Sequence, residues 1–168
     1  MTKQTEKVTL DFYHPKYEET LHTFYLPEEQ QKFTATPAEI IKRAAEEKEC
    51  TPIVIVSNEK PVGIFALLTG EQVKDYTGNK NALALIAFSI NHDEQGNGYA
   101  VGALLQLHRF IHMNFPGKDE VLLVVNEKNI AAQRAYKKAG FQDTGHRRMG
   151  PVGRQFVFSL STKAEVTY

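Results

Sequence analysis

The apolar positions of this chain follow two periods, and the switches between them mark its elements. Residues 8–12 alternate apolar and polar, as a half-buried strand does, and His14-Pro15 ends the run. In 16–24, Tyr17, Leu21 and Phe24 recur at helical spacing until Pro27 breaks the pattern. A polar stretch over 27–36 carries Glu28 and Glu29. Thr36-Pro37-Ala38-Glu39 then reads as a helix start. Thr36 caps, Pro37 suits the first helical position, and Glu39 can reach back in a capping box. That helix is predicted to run to about Glu49, with Ile40, Ile41, Ala44 and Ala45 on its buried side.

Residues 53–56 are β-branched throughout, and 62–68 return as a second apolar strand after a turn at 58–61, which makes a hairpin. A polar loop with two glycines fills 69–81 and is a candidate mobile rim. Residues 82–90 are nearly all apolar, which predicts a central strand covered on both faces. A helix is expected over 99–113, where Val101, Leu104, Leu105, Leu107, Phe110 and Ile111 occupy most of the circumference. Another buried strand is predicted at 121–125, then a helix over 126–139. Ala131, Ala132, Ala135 and Ala139 let that helix approach the sheet closely, and Gly140 can cap its end. A last hairpin joins 142–149 to 154–160 through Gly150-Pro151-Val152-Gly153, with Phe156 and Phe158 on one face. Residues 1–7 and 161–168 are polar, and the first of these is expected to fray. This order predicts an α/β chain of the α+β kind, a mixed sheet with helices on both faces. Without repeat or linker, it reads as one domain over 1–168.

Composition narrows the function. Hydrophobic residues make up 42%, which argues against disorder, and 20 basic residues balance 20 acidic ones. No basic excess draws the chain to nucleic acid, and no apolar run is long enough to span a bilayer. With no charged-then-apolar leader at Met1, a cytoplasmic protein is expected. The one cysteine, Cys50, excludes an internal disulfide framework and reads as a small apolar residue near a helix end.

The chemistry concentrates where strand 82–90 runs through Asn91-His92-Asp93-Glu94 into Gln95-Gly96-Asn97-Gly98-Tyr99-Ala100 and the next helix. A glycine turn feeding a helix start presents backbone N–H groups without intrahelical partners, at the positive end of the dipole, which makes an anion site. The dinucleotide fingerprint does not fit, because its third glycine would fall at Val101 and Gly102 comes one place late. The phosphate loop of nucleotide hydrolases does not fit either, since no Gly-Lys-Ser/Thr triplet occurs. No His/Cys cluster has metal-ligand spacing, so no metal is expected.

Read as Gln-x-x-Gly-x-Ala, residues 95–100 resemble the acetyl-CoA pyrophosphate loop of the GNAT superfamily of N-acetyltransferases. A second segment, residues 129–141, is similar to that family's next motif: Asn129, Ala132 three later, Tyr136 seven later, then Lys138-Ala139-Gly140-Phe141. The resemblance covers roughly the second half of the chain. The first half fits in its order of elements and looks loosely like polyamine and diamine acetyltransferases. The fold implied is a mixed, mostly antiparallel central sheet with helices on both faces.

The resemblance also implies roles. Backbone N–H groups of Gly96, Asn97, Gly98, Tyr99 and Ala100 would bind the pyrophosphate of acetyl-CoA, with Gln95 opening the loop. A side chain larger than that of Ala100 would push the phosphates away. The pantetheine arm would pair with the main chain of Phe88, Ser89 and Ile90, and a backbone N–H there would act as oxyanion donor. Asn129 would touch the arm, although a helix N-cap is its ordinary reading. Tyr136 would protonate the departing thiolate, a task suited to a neutral phenol near pH 7, although a core aromatic is its ordinary reading. Arg134 and Lys138 read by default as exposed charges. The base is left open among Glu28, Glu29, His92, Asp93, Glu94 and a water relay.

Glu18, Glu19, Glu28 and Glu29 crowd the early connection, which would suit a small cationic amine such as a polyamine or diamine. The alternatives are a protein N-terminal or lysine acetyltransferase, and a non-catalytic acyl-CoA-binding regulatory module. A monomer and a homodimer are both compatible with the sequence.

Overall fold

A computed structural model describes residues 8–163. The polar residues 1–7, predicted to fray, and 164–168 of the polar tail lie outside the described residues. The strands are β1 (Thr9–Phe12), β2 (Cys50–Ser57), β3 (Lys60–Leu68), β4 (Ala82–Ile90), β5 (Glu120–Asn126), β6 (Gln142–Gly150) and β7 (Gly153–Ser161). They form a seven-stranded sheet in the order β1-β2-β3-β4-β5-β7-β6. Every neighbouring pair is antiparallel except β4 and β5, which are parallel. The mixed, mostly antiparallel sheet expected from the sequence is therefore present.

Helices cover both faces. They are α1 (Glu18–Leu21), α2 (Glu28–Gln31), α3 (Pro37–Glu46), α4 (Tyr99–Leu105), α5 (Leu107–Asn114) and α6 (Ile130–Lys138). One core joins Leu104, Leu107, Ile111 and Tyr136 to Ile53, Ile55, Phe65, Leu67, Leu83 and Leu85. The other joins Tyr17, Leu21 and Ile40 to Val54, Ile64, Ala66, Leu68 and Ala84. β3 is buried over all but its first residue, because both of its faces carry a core. Cys50 is buried, and burial pushes its thiol up, as suits a packing residue.

Local chemistry explains where the elements depart from the periodicity. The helix expected over 16–24 shrinks to a 3-10 turn at Pro15–Tyr17 and α1. There Thr23 Oγ1 donates to the Thr20 carbonyl at 2.6 Å, a local bond that competes with helix continuation. The capping box at Thr36 and Glu39 is formed, but α3 stops at Glu46 rather than Glu49, because Cys50 already pairs with Leu68 in the sheet. The helix expected over 99–113 is broken at Gln106, whose Nε2 donates to the Val8 carbonyl at 2.7 Å. The helix expected from 126 begins at Ile130, since β5 continues to Asn126 opposite Gln155. Within the predicted rim loop, a 3-10 turn over Gly70–Asp75 buries Val73, and Arg43 Nη2 donates to Gln72 Oε1 at 2.7 Å.

Candidate active site

β4 and β5 run together over only three residues. Their pairing ends at Ala84 opposite Leu122, while β5 stays paired to β7 along its whole length. Three positions further along β4, Ala87 has φ +56°, and the register against β3 slips between Ala66↔Ile86 and Ile64↔Ser89. This is a β-bulge, which bends the strand and increases its twist. The two strands therefore diverge and open a cleft of about 880 Å³. Phe88, Ala100, Ala132 and Ala135 line it from the α4/α6 face of the sheet. Ala35, Ile86, Ala87 and Val124 line it from the opposite face. The cleft thus passes through the sheet and meets both sides of the molecule.

At one end lies the loop into α4. Gly96 has φ +84° and Gly98, the N-cap of α4, has φ +79°. These are left-handed conformations that glycine adopts without strain. A Cβ on Gly96 would meet nothing within 4 Å, so its glycine serves the turn rather than close packing. Among the described residues, the N–H groups of Gly96, Asn97, Gly98, Tyr99, Ala100 and Val101 have no acceptor; the Gly102 N–H is the first to bond back, to the Gly98 carbonyl at 3.0 Å. Gly96, Gly98, Tyr99, Ala100 and Val101 all line the cleft, whereas Asn97 faces away and donates from Nδ2 to the Glu94 carbonyl at 3.0 Å. Such a run of unpaired donors at a helix start suits a polyanion. Gln95 Nε2 donates to the Ile90 carbonyl at 2.9 Å and to Gln30 Oε1 at 2.9 Å.

Tyr136 enters from the other side, near the end of α6. Its position follows from how that helix stops. Gly140, at φ +106°, donates its N–H to the Lys137 carbonyl at 3.0 Å, and Phe141 donates to the Tyr136 carbonyl at 3.0 Å. This is the paired arrangement of a Schellman cap, with its customary apolar contact supplied by the Tyr136 and Phe141 rings, 5.7 Å apart and edge to face. Phe88 packs on the same ring at 6.1 Å and stacks in turn on Phe65 at 5.6 Å. The aromatic ring is fixed on two sides and only 8% exposed, yet the residue lines the cleft. Among the described residues no hydrogen bond engages its hydroxyl and no fully buried side-chain polar atom lacks a partner, so the hydroxyl reaches the cleft, while burial of the residue pushes the phenol well above its ordinary range.

The remaining expected residues divide. Phe88, Ser89, Ile90 and Asn129 all line the cleft. Asn129 also caps α6, its side chain accepting from the Ala132 N–H at 3.3 Å. Arg134 and Lys138 are exposed and away from it. Of the possible bases, Glu29 and Glu94 line the cleft, while Glu28, His92 and Asp93 do not. Glu94 is held by Lys60 Nζ at 2.9 Å. Of the four early glutamates, Glu29 alone reaches the cleft, and Lys32 and Lys128 line it too. Glu18 instead accepts a hydrogen bond from Tyr13 at 3.1 Å.

Several lining residues had no sequence signal. Ala87 takes a positive φ that alanine rarely adopts, and such residues gather at ligand sites. Leu26, Gln30, Phe33, Thr34 and Ala35 form a wall from the stretch that read only as a polar connection. Asn126, buried at the end of β5, donates from Nδ2 to the Val152 carbonyl at 3.1 Å and so fixes the hairpin turn on the far side.

No group of three or more potential metal ligands occurs among the described residues, and no helix there is long and apolar enough to cross a membrane.

Residues 7–142 match the family model for the acetyltransferase (GNAT) domain. The chain is 38% identical over 154 residues to the Bacillus subtilis (strain 168) protein named uncharacterized N-acetyltransferase YbbJ, which covers 91% of this chain and 96% of that one. In fold it resembles aminoglycoside acetyltransferase AAC(6')-Ib solved with coenzyme A, at a TM-score of 0.72 and 17% identity over 92% of this chain and 94% of the other. It also resembles spermidine N-acetyltransferase from Vibrio cholerae solved with CoA and spermine, at a TM-score of 0.70 and 14% identity over 94% and 96%. The chain belongs to the GNAT family and is an acetyl-CoA-dependent N-acetyltransferase of that type.

Proposed function

We propose that this GNAT N-acetyltransferase moves an acetyl group by direct attack onto the primary amine of a small cationic molecule, within the cleft that crosses the sheet. The observation that carries the reading is the placement of two unpartnered sets of donors on one cleft: the N–H groups of Gly96, Gly98, Tyr99, Ala100 and Val101, and the Tyr136 hydroxyl. The first fits a diphosphate; the second fits a leaving thiolate.

Acetyl-CoA, when bound, supplies the thioester carbonyl that the amine attacks. The N–H groups of 96–101 hold the diphosphate by charge-assisted hydrogen bonds, and the dipole of α4 adds to them. Gln95 braces the loop rather than touching the anion, because both of its side-chain N–H groups are already taken. Past Ala84 the edge of β4 is no longer paired to β5, so the main chain at Phe88, Ser89 and Ile90 can bond an extended pantetheine arm as a neighbouring strand would. An N–H there stabilises the developing oxyanion. Asn129 borders the same arm.

Tyr136 donates to the sulfur as it leaves. Burial keeps the phenol protonated at neutral pH and, beside it, disfavours a free thiolate, so the thiolate forming there draws the phenol's proton. Before attack the ammonium must lose a proton. Glu29 serves, directly or through water, because the other lining carboxylate, Glu94, is engaged by Lys60.

A cationic acceptor draws support from the fold neighbours, whose structures hold coenzyme A with kanamycin in one case and spermine in another. The test is thiol release at fixed acetyl-CoA over spermidine, spermine, diamines, an aminoglycoside and peptides with free N-termini or lysines. The expected result is turnover with a small polycation. Turnover confined to peptides overturns the substrate class, and CoA binding without any turnover overturns the enzymatic reading.

A further inference from the structure

α2 buries none of its four residues, yet it sits in one wall of the cleft with Leu26, Phe33 and Ala35. A helix of four residues has little stability of its own. What holds this one in place is polar and comes from far along the chain. Gln95 Nε2 donates to Gln30 Oε1 at 2.9 Å, and Gln30 Nε2 donates back to Gln95 Oε1 at 3.4 Å. Beside this pair, the Tyr25 N–H donates to Asn91 Oδ1 at 2.9 Å, the His92 N–H donates to the Tyr25 carbonyl at 2.9 Å, and the Tyr25 and His92 rings meet edge to face at 5.8 Å. Every partner on the far side lies in the loop between β4 and α4. The last of them, Gln95, adjoins Gly96 and is itself anchored to the Ile90 carbonyl.

We propose that the Gln30–Gln95 amide pair is a clasp through which the anion-binding loop sets the acceptor wall, making Gln30 a positioning residue for the amine. The proposal rests on reading Gly96 to Val101 as the diphosphate site. Ordering that loop on an anion orders Gln95. Gln95 has no free side-chain N–H with which to take up a different partner, so Gln30 is ordered with it. The wall residues that follow Gln30 are then fixed against the cleft. By linkage, whatever the filled loop adds to the affinity for the amine, the bound amine adds to the affinity for the cofactor. The pair is solvent-accessible, so the coupling is modest, about three- to tenfold, the range of a single net hydrogen bond.

Hydrogen exchange on the full chain, with and without CoA, tests this in wild type, Gln30→Met and Gln30→Glu. Methionine keeps the unbranched stem and loses donor and acceptor. Glutamate keeps an acceptor for Gln95 Nε2. CoA is expected to slow exchange over 96–101 in all three proteins. It is expected to slow exchange over 30–34, where the Gln30, Gln31 and Phe33 N–H groups are hydrogen-bonded, in wild type and Gln30→Glu but not in Gln30→Met, the Tyr25 N–H being excluded because Asn91 holds it independently. Protection of 30–34 by CoA in Gln30→Met overturns the clasp. So does a wild-type protein protected over 96–101 alone. Protection of neither segment in wild type overturns the diphosphate site itself, which separates the two failures.

Discussion

The two walls of the cleft are built by different means. The wall carrying the loop into α4 and the end of α6 is set by main-chain geometry: two left-handed glycines, a Schellman cap and an aromatic stack on β4. Each device acts between residues close in sequence or on neighbouring strands and helices packed in one core. The opposite wall, residues 26–35, has a helix with no buried residue and is held by side-chain bonds to a loop 65 residues away. The first wall is rigid because its alternatives are sterically poor. The second has Ala35 partly packed on the core and is otherwise held by a few exposed hydrogen bonds, each worth about 0.5–1.5 kcal/mol net. On the proposed function, the common cofactor would meet the rigid wall and the acceptor the adjustable one.

Substitutions can break this contrast at graded cost. The largest effect is expected from Tyr136→Phe. Losing the proton donor should lower kcat by about 10²–10⁴. Because the hydroxyl has no partner among the described residues, the melting temperature and the Kd for CoA should not move. Steady-state kinetics beside calorimetry checks this, and an unchanged kcat removes Tyr136 from the reaction. Next comes Gly98→Val, which forces a β-branched residue to φ +79°. The strain, about 1–3 kcal/mol, is relieved by moving the loop, so the Kd for CoA should rise about 5- to 150-fold. Gly78→Ala, at ordinary φ with nothing within 4 Å of the new Cβ, should leave that Kd unchanged.

Smaller still is Thr36→Ala. It removes the capping box of α3 and should cost about 1 kcal/mol in chemical denaturation with no change in CoA affinity. The mildest effects are those of pH. Tyr17 donates to Asp11 Oδ2 at 2.6 Å, and this bond, aided by burial, raises its phenol from the ordinary 10.0 to about 12. A raised folded-state value favours the protonated form. The stability it adds is complete below pH 10 and falls as pH rises toward about 12. Denaturation at pH 9 and 11.5 should show that decline in wild type and less of it in Tyr17→Phe. Tyr136, raised by burial, should stay neutral through pH 10, so an alkaline limb of kcat/KM below that pH should persist unchanged in what activity Tyr136→Phe retains.

The same contrast explains what could be read from the sequence. Strand 82–90, the glycine turn and the Asn129–Phe141 segment announce themselves because local rules dictate them: an apolar run buried on both faces, φ values only glycine takes easily, and a cap written as Gly-Phe. Thr36 to Glu39 was legible for the same reason. The bulge at Ala87 was not, because alanine carries no mark of a positive φ; the sheet imposes it where β4 leaves β5. The break at Gln106 was hidden too: its N–H bonds the Ala103 carbonyl at 3.0 Å, while its side chain takes the Gly102 carbonyl and the carbonyl of Val8, 98 residues earlier, which no local pattern announces. Of four early glutamates only Glu29 lines the cleft, because charge can be counted along a chain but its direction depends on how short helices dock.

On the proposed function, the N–H groups of the loop from Gly96 to Val101 grip a diphosphate and so bring a thioester to Tyr136. Titrating CoA into ¹⁵N-labelled protein tests it most directly. The largest amide shifts are expected at residues 96–101, the next at 88–90 and around Tyr136, and little along β6. Saturable binding that leaves the 96–101 amides in place would contradict it.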